Sequence, residues 1–173
     1  MIACFDVYYA NNEAWAAAIV FEDWADSGVV ERYTLKINDV GDYQPGRFYE
    51  RELAPIVQLI KSIEHPISHY VIDAYCHLTD TQAPGMGVYL YETLPSHAIV
   101  IGVAKNRFRD TQHAVEVSRG GSKRPLFVTS IGMDYSSAGK LIASMAGEHR
   151  IPTMLKYVDR LSRECETDSS LVQ

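Results

Sequence analysis

Four carboxylates stand where the surrounding residues predict burial. Asp6 interrupts the otherwise apolar run Ile2-Ala3-Cys4-Phe5-Asp6-Val7-Tyr8-Tyr9 at its middle. A buried carboxylate without partners is costly or takes up a proton, so something must compensate it. Glu52 lies four residues after Phe48 and four before Ile56, which places it on the apolar stripe of an expected helix. Asp73 closes the run Tyr70-Val71-Ile72, at the carboxyl edge of a strand, where open α/β sheets bind their ligands. Asp159 follows Leu155 by four and adjoins Val158, on the flank of the last helix's apolar stripe. Any one of these acids taken alone reads as a cap, an ion-pair partner or a partly exposed residue. Together, on the first strand, the first long helix, the next strand and the last helix, they converge if the strands order as argued below. Oxygen-only ligands favour Mg²⁺, with Mn²⁺ as a substitute, over zinc. Such a cluster repels itself without metal, and with metal it activates water and stabilises charge on a scissile phosphate.

The elements that must position these acids are legible in the hydrophobic pattern. Residues 2–9, 13–22 and 29–37 read as β-rich runs joined by short polar connections, hence an antiparallel meander. Asp42-Tyr43-Gln44-Pro45-Gly46 is a turn signal that leads into a helix over about 47–63, shortened or kinked by Pro55. Residues 69–74, 98–104 and 125–129 read as further strands, with residues 79–87 a loop. Ala138, Leu141, Ile142, Met145 and Ala146 carry helical spacing, and a last helix is expected over about 152–165. A meander followed by strand–helix crossovers implies an α/β fold, a ribonuclease H-like mixed sheet with helices on its faces.

At 173 residues the chain suits one domain over 1–173, with a flexible C-terminal tail expected from about residue 166. Its longest apolar run, 14–21, falls far short of the ~20 residues of a membrane helix, and the N-terminus reads as a strand, so a cytoplasmic address is expected. Cys4, Cys76 and Cys165 form no Cys-x-x-Cys pair and read as reduced, buried thiols. The net charge of −6 argues against a nonspecific nucleic-acid coat protein. The stretch from Lys105 to Arg124 nevertheless carries +4 against −10 for the rest, with Lys105, Arg107, Arg109, Arg119, Lys123 and Arg124 as its cations. Such a strip fits a protein that holds a polyanion along one track, or else an ordinary solvated loop pair. Gly85-Met86-Gly87 lacks the third glycine of a dinucleotide fingerprint, Gly120-Gly121-Ser122-Lys123 lacks Walker spacing, and no Gly-x-Ser-x-Gly elbow exists.

Several segments, in order, resemble the endonuclease V family. Asp6-Val7-Tyr8-Tyr9 is similar to its Asp-Val-Ser-Tyr, and Tyr43-Gln44-Pro45-Gly46 with Arg51-Glu52-Leu53 resembles its Tyr-Ile-Pro-Gly wedge and following Arg-Glu. Residues 101–107 resemble a Gly-Val-Ala-Lys-Ser motif, residues 125–132 its Pro-Leu-Tyr-Val-Ser-x-Gly, and residues 150–162 its closing Pro-containing segment. The resemblance implies a divalent-metal-dependent endonuclease that cuts a phosphodiester near a deaminated purine such as inosine, in DNA or RNA. It implies that Asp6, Glu52 and Asp73 are metal-binding catalytic acids, that Asp159 completes the site, and that Lys105 meets the phosphate or the leaving oxygen. Tyr43, Pro45 and Gly46 would form a wedge beside the base, since an aromatic ring can replace stacking lost when a base is flipped out. Lys105, Arg107, Lys123 and Arg124 would contact the nucleic acid. After the strand acid the family reads Asp-Gly-His-Gly, where this chain has Asp73-Ala74-Tyr75-Cys76, and Met133 stands where His or Asn is usual. That altered segment motivates a second reading, a catalytically weak relative that binds structured or modified nucleic acid without cutting it. Nothing in the sequence calls for a membrane or an obligate protein partner.

Overall fold

Asn11 and Asn12 both take positive φ, 50° and 63°, and close a two-residue hairpin between β1 (Ile2–Ala10) and β2 (Glu13–Phe21). That turn matches the right-handed twist of paired strands, and it sets the register Ala10↔Glu13 through Ile2↔Phe21. A computed structural model of the chain describes residues 1–38, 48–95, 97–109 and 112–167, without the side chains of 48–52 and 165–167. Tyr43, Pro45 and Gly46, the side chain of Glu52, and the tail beyond residue 167 therefore lie outside the described residues.

β3 (Glu31–Asn38) completes the meander against β2. α1 (Phe48–Ile60) runs on through Pro55, so the expected kink does not end it. β4 (His69–Ile72) and β5 (Ile99–Ala104) then pair parallel beside β1. Among the described residues seven strands form one sheet in the order β3-β2-β1-β4-β5-β7-β6, with β6 at Val115–Val117 and β7 at Leu126–Ile131. This is the mixed, ribonuclease H-like sheet that the pattern implies. Two elements differ from expectation. The loop read over 79–87 ends at Gly85, where the unexpected helix α2 (Met86–Glu92) begins, and the chain between β5 and β7 contains the unexpected short strand β6, with β7 antiparallel to β5. α2 escaped notice because its glycines look like a turn. They are there for contact: a Cβ on Gly87 would lie 2.4 Å from the Cys76 sulfur, and one on Gly85 2.5 Å from the Tyr75 carbonyl oxygen.

Side-chain alternation divides β1 between two cores. Ile2 and Cys4 face the cluster that holds Ala138 and Ile142 of α3 (Tyr135–Ser144) and Met154, Val158 and Leu161 of α4 (Thr153–Thr167). Ala3 and Phe5 face the cluster that holds Ile56 and Leu59 of α1 and Leu90 of α2. β2 is buried on both faces, with small Ala14, Ala16, Ala17 and Ala18. Each fully buried Ile, Leu or Phe stabilises by roughly 1.5–3 kcal/mol, and a one-residue slip of β1 would turn the whole set to the wrong face. The register of Asp6 is thus enforced by its hydrophobic neighbours. Cys4 and Cys76 are buried free thiols, burial raising the Cys76 thiol to about 12. No helix among the described residues is long and apolar enough to cross a membrane.

Candidate active site

The period of two that sorts the core also sorts the charged residues. Asp6 continues the inward row Ile2, Cys4 of β1. Asp73 lies two positions past Val71 of β4, and Lys105 two past Val103 of β5, both on that same α4-facing row. Phe5 pairs with Ile72, and Ile72 with Gly102, so Asp6 in the middle of β1 lies beside Asp73 just past the end of β4, with Lys105 just past the end of β5. α4 lies across this edge against β1 and β2 and brings Asp159. Asp6, Asp73, Lys105 and Asp159 consequently line one cleft, together with Phe5, Val103 and Val158.

The backbone that carries Asp73 is pinned from two sides. The Cys76 N–H donates to the Thr129 hydroxyl of β7 at 2.8 Å, and Gly102 lets β5 approach. A Cβ on Gly102 would lie 2.3 Å from the Ala74 carbonyl oxygen. Beneath Lys105, the Arg150 guanidinium donates to the main-chain carbonyls of Lys105 and of Pro125, the latter at 3.0 Å.

The electrostatics of the cleft centre on Asp6 and Lys105. Burial pushes the Asp6 carboxyl above its ordinary value, and the charges of Asp159 and Asp73 push the same way, while a hydrogen bond from Ser162 and the charge of Lys105 oppose them. The Lys105 ammonium stands 2.5 Å from Asp73 Oδ2 and 3.9 Å from Asp159 Oδ1. Burial would lower Lys105, but the hydrogen bond and charge of Asp73, then Asp159 and Asp6, outweigh it and raise it. Arg163 holds Asp159 from the other side, at 3.3 and 3.4 Å, and its guanidinium lies 5.0 Å from the centre of the Tyr8 ring. With Lys105 seated among them, no three acid, His or Cys groups among the described residues are gathered tightly enough to share one ion. The donor chemistry nonetheless suits a hard divalent cation, since every acidic group lining the cleft offers carboxylate oxygens. Glu52 belongs to the first turns of α1, and its side chain lies outside the described residues.

The basic strip divides on folding. Lys105 enters the cleft. Arg107 pairs with Glu116 and covers the Phe127 ring at 4.8 Å, and Arg124 donates to the Asn106 side-chain oxygen at 2.9 Å. Arg119 turns inward and donates to the carbonyls of Ile142, Ala143 and Gly147 at 2.8, 2.9 and 2.9 Å, closing the end of α3. Lys123 and Arg109 are exposed. Arg119 therefore serves the fold and leaves any continuous cationic track. Ser162, Arg163 and Arg150 take contacts at the cleft that no motif assigned to them. The first two carry a signal, lying three and four residues after Asp159 on one helix face. Arg150 carries none.

The Endonuclease V family profile matches residues 1–146, which run from β1 through α3. Three solved structures are similar in fold. The endonuclease V of Streptomyces avermitilis is 23% identical with a TM-score of 0.77, covering 98% of this chain and 82% of that one. Human endonuclease V is 17% identical with a TM-score of 0.79, covering 98% and 85%. Ciona intestinalis endonuclease V, in complex with a 24mer DNA containing an inosine followed by a ribo-adenosine, is 18% identical with a TM-score of 0.78, covering 96% and 85%. Among curated proteins no sequence matches the chain. The family profile spans most of the chain, including the strands that carry Asp6, Asp73 and Lys105, and on that ground the chain belongs to the endonuclease V family.

Proposed function

We propose that this chain, acting as a single domain over 1–173, is a Mg²⁺-dependent endonuclease that hydrolyses a phosphodiester near a deaminated purine such as inosine, in DNA or RNA, leaving a 3′-hydroxyl and a 5′-phosphate. The observation that carries this reading is the convergence of Asp6, Asp73 and Asp159 with Lys105 in one cleft, where the ends of β4 and β5 meet the middle of β1 and α4. Inosine enters through the family, since the similar Ciona protein is bound to inosine-containing DNA. Asp6, Asp73 and Asp159, joined by Glu52, would hold Mg²⁺, with Mn²⁺ as a substitute. An ion held by these carboxylates would supply a lowered pKa for bound water and neutralisation of charge on the phosphate.

The remaining work falls to the chain's own groups. Lys105 is held protonated by its acidic neighbours, so it is a donor suited to a phosphate oxygen or the leaving oxygen. Lys123, exposed, and Arg107 and Arg124, oriented by Glu116 and Asn106, are the residues we assign to the nucleic-acid backbone. Tyr43, Pro45 and Gly46 keep their proposed role as a wedge beside the base. We assign the protein to the cytoplasm, with no membrane and no obligate protein partner.

The test is incubation with labelled inosine-containing and plain oligonucleotides, DNA and RNA, with Mg²⁺ or Mn²⁺, alongside Asp73→Ala. Metal-dependent nicking beside inosine that Asp73→Ala abolishes is the expected result. Nicking that survives Asp73→Ala removes the site assignment, and binding without nicks in any lane favours a relative that binds without cutting.

A further inference from the structure

Ser162 is fully buried on α4 and has one proton for two acceptors. Its Oγ stands 2.6 Å from Asp6 Oδ2 and 2.8 Å from the main-chain carbonyl of Asp159. The carboxylate is the stronger acceptor and the nearer one, so the proton belongs to Asp6. The Asp159 carbonyl does not depend on it, because in a helix that carbonyl faces the N–H four residues on. The contact joins residues 156 apart in sequence and ties the last helix to the first strand at the cleft.

The geometry also distinguishes the two oxygens of Asp6. Oδ2 takes the Ser162 proton, while Oδ1 has no hydrogen-bond partner among the described residues, and the carboxylate lines the cleft. Carboxylate torsions are broad and poorly self-ordering, so an acid that must present one oxygen in one direction needs an external anchor. Lys105 does not supply it, since its hydrogen bond goes to Asp73. Arg163 is engaged with Asp159.

We propose that Ser162 is a positioning residue that occupies Asp6 Oδ2 and holds the carboxylate so that Oδ1 is presented to a divalent cation in the cleft. The assignment rests on the cation reading of that cleft. Ser162 touches neither the ion nor the substrate and acts only through Asp6. Hydrogen-bonded partners of ligating groups typically change metal affinity by about 10- to 100-fold when removed, and Ser162→Ala falls in that range.

Mn²⁺ binding to the full chain without nucleic acid, measured by isothermal titration calorimetry, tests this for the wild type, Ser162→Ala, Ser162→Cys and Ser162→Thr. Metal-free thermal unfolding of each variant reports on folding alone. The expected result is that Ser162→Ala loses about 10-fold or more in Mn²⁺ affinity while still unfolding cooperatively. Ser162→Thr, which keeps the hydroxyl, regains most of the loss, and Ser162→Cys, a weak donor of similar volume, falls between. Wild-type Mn²⁺ binding that Ser162→Ala and Ser162→Cys leave unchanged overturns the Ser162 assignment and spares the cation site. A wild type that binds no Mn²⁺ overturns the cation site and this inference with it.

Discussion

Replacing Asp6 by Asn should make the metal-free protein more stable while removing its ability to use metal. The substitution keeps the shape of the side chain and deletes one charge. In the folded chain burial acts first against that charge, and Asp159 and Asp73 add to the pressure, while the Ser162 hydrogen bond and Lys105 relieve part of it. Releasing a largely buried, partly compensated carboxylate is worth about 2–3 kcal/mol. Exchanging a charge-assisted hydrogen bond from Ser162 for a neutral one loses about 1 kcal/mol. The net gain is about 1–2 kcal/mol, which for a chain of this size raises Tm by about 2–8 °C. The pH dependence has a fixed sign. Asp6 takes up its proton at higher pH in the folded chain than its ordinary value of 3.8, so between these two pH values the native state binds more protons than the unfolded state. Wild-type stability therefore falls as pH climbs through that window and stays reduced above it. The advantage of Asn is full above that window, shrinks as pH falls through it and is gone below the ordinary carboxylate value, where Asp6 is neutral in both states. Thermal unfolding in EDTA across pH 3–8 measures this, and a repeat at saturating Mg²⁺ should invert the order. A ligand at about 100 times its Kd adds about 2.7 kcal/mol, which only the wild type would gain in full. An Asp6→Asn variant less stable than the wild type in EDTA at neutral pH, or an advantage that persists unchanged at low pH, would refute the account of Asp6 as a charge held at a cost.

The backbone around Asp73 gives a second expectation. Gly102→Ala places a Cβ 2.3 Å from the Ala74 carbonyl and 2.9 Å from the Cys76 nitrogen, both main-chain atoms. It should destabilise by about 1–3 kcal/mol in urea unfolding and depress cleavage with it. Arg119→Ala uncaps α3 and should lose about 2 kcal/mol of stability while leaving the salt dependence of oligonucleotide binding unchanged. Lys123→Ala should do the reverse, sparing Tm and reducing the slope of log affinity against log salt by about 0.7–0.9. Equal salt slopes for Lys123→Ala and the wild type would remove Lys123 from the nucleic-acid surface.

How much was readable along the chain depended on what kind of information each feature needs. The meander, β4 and β5 declare themselves as β-rich or continuously apolar runs, and the helix that became α3 through a spacing of 3.6 set by the backbone alone. Asp6, Asp73 and Asp159 were legible as departures from such patterns, because a charge on an inward row is costly and demands a reason. β6 spans three residues and α2 opens between two glycines, too little local signal to compete with turn chemistry. The direction of β7 was invisible in principle, because alternation marks which face is buried and not which way a strand runs.

Only the tertiary structure decided which cations serve the site and which serve the fold. Arg119 and Lys123 look equivalent in sequence, yet one meets the open carbonyls at the end of α3 and the other meets water. Ser162 shares a helix face with Asp159 in sequence, but only when α4 is laid across β1 does its one proton land on Asp6. Residue type and spacing determined that charge would gather at one edge of the sheet. The direction and pairing of each charge came from packing, because a hydrogen bond depends on positions set by chain segments far apart in sequence, which no local pattern records.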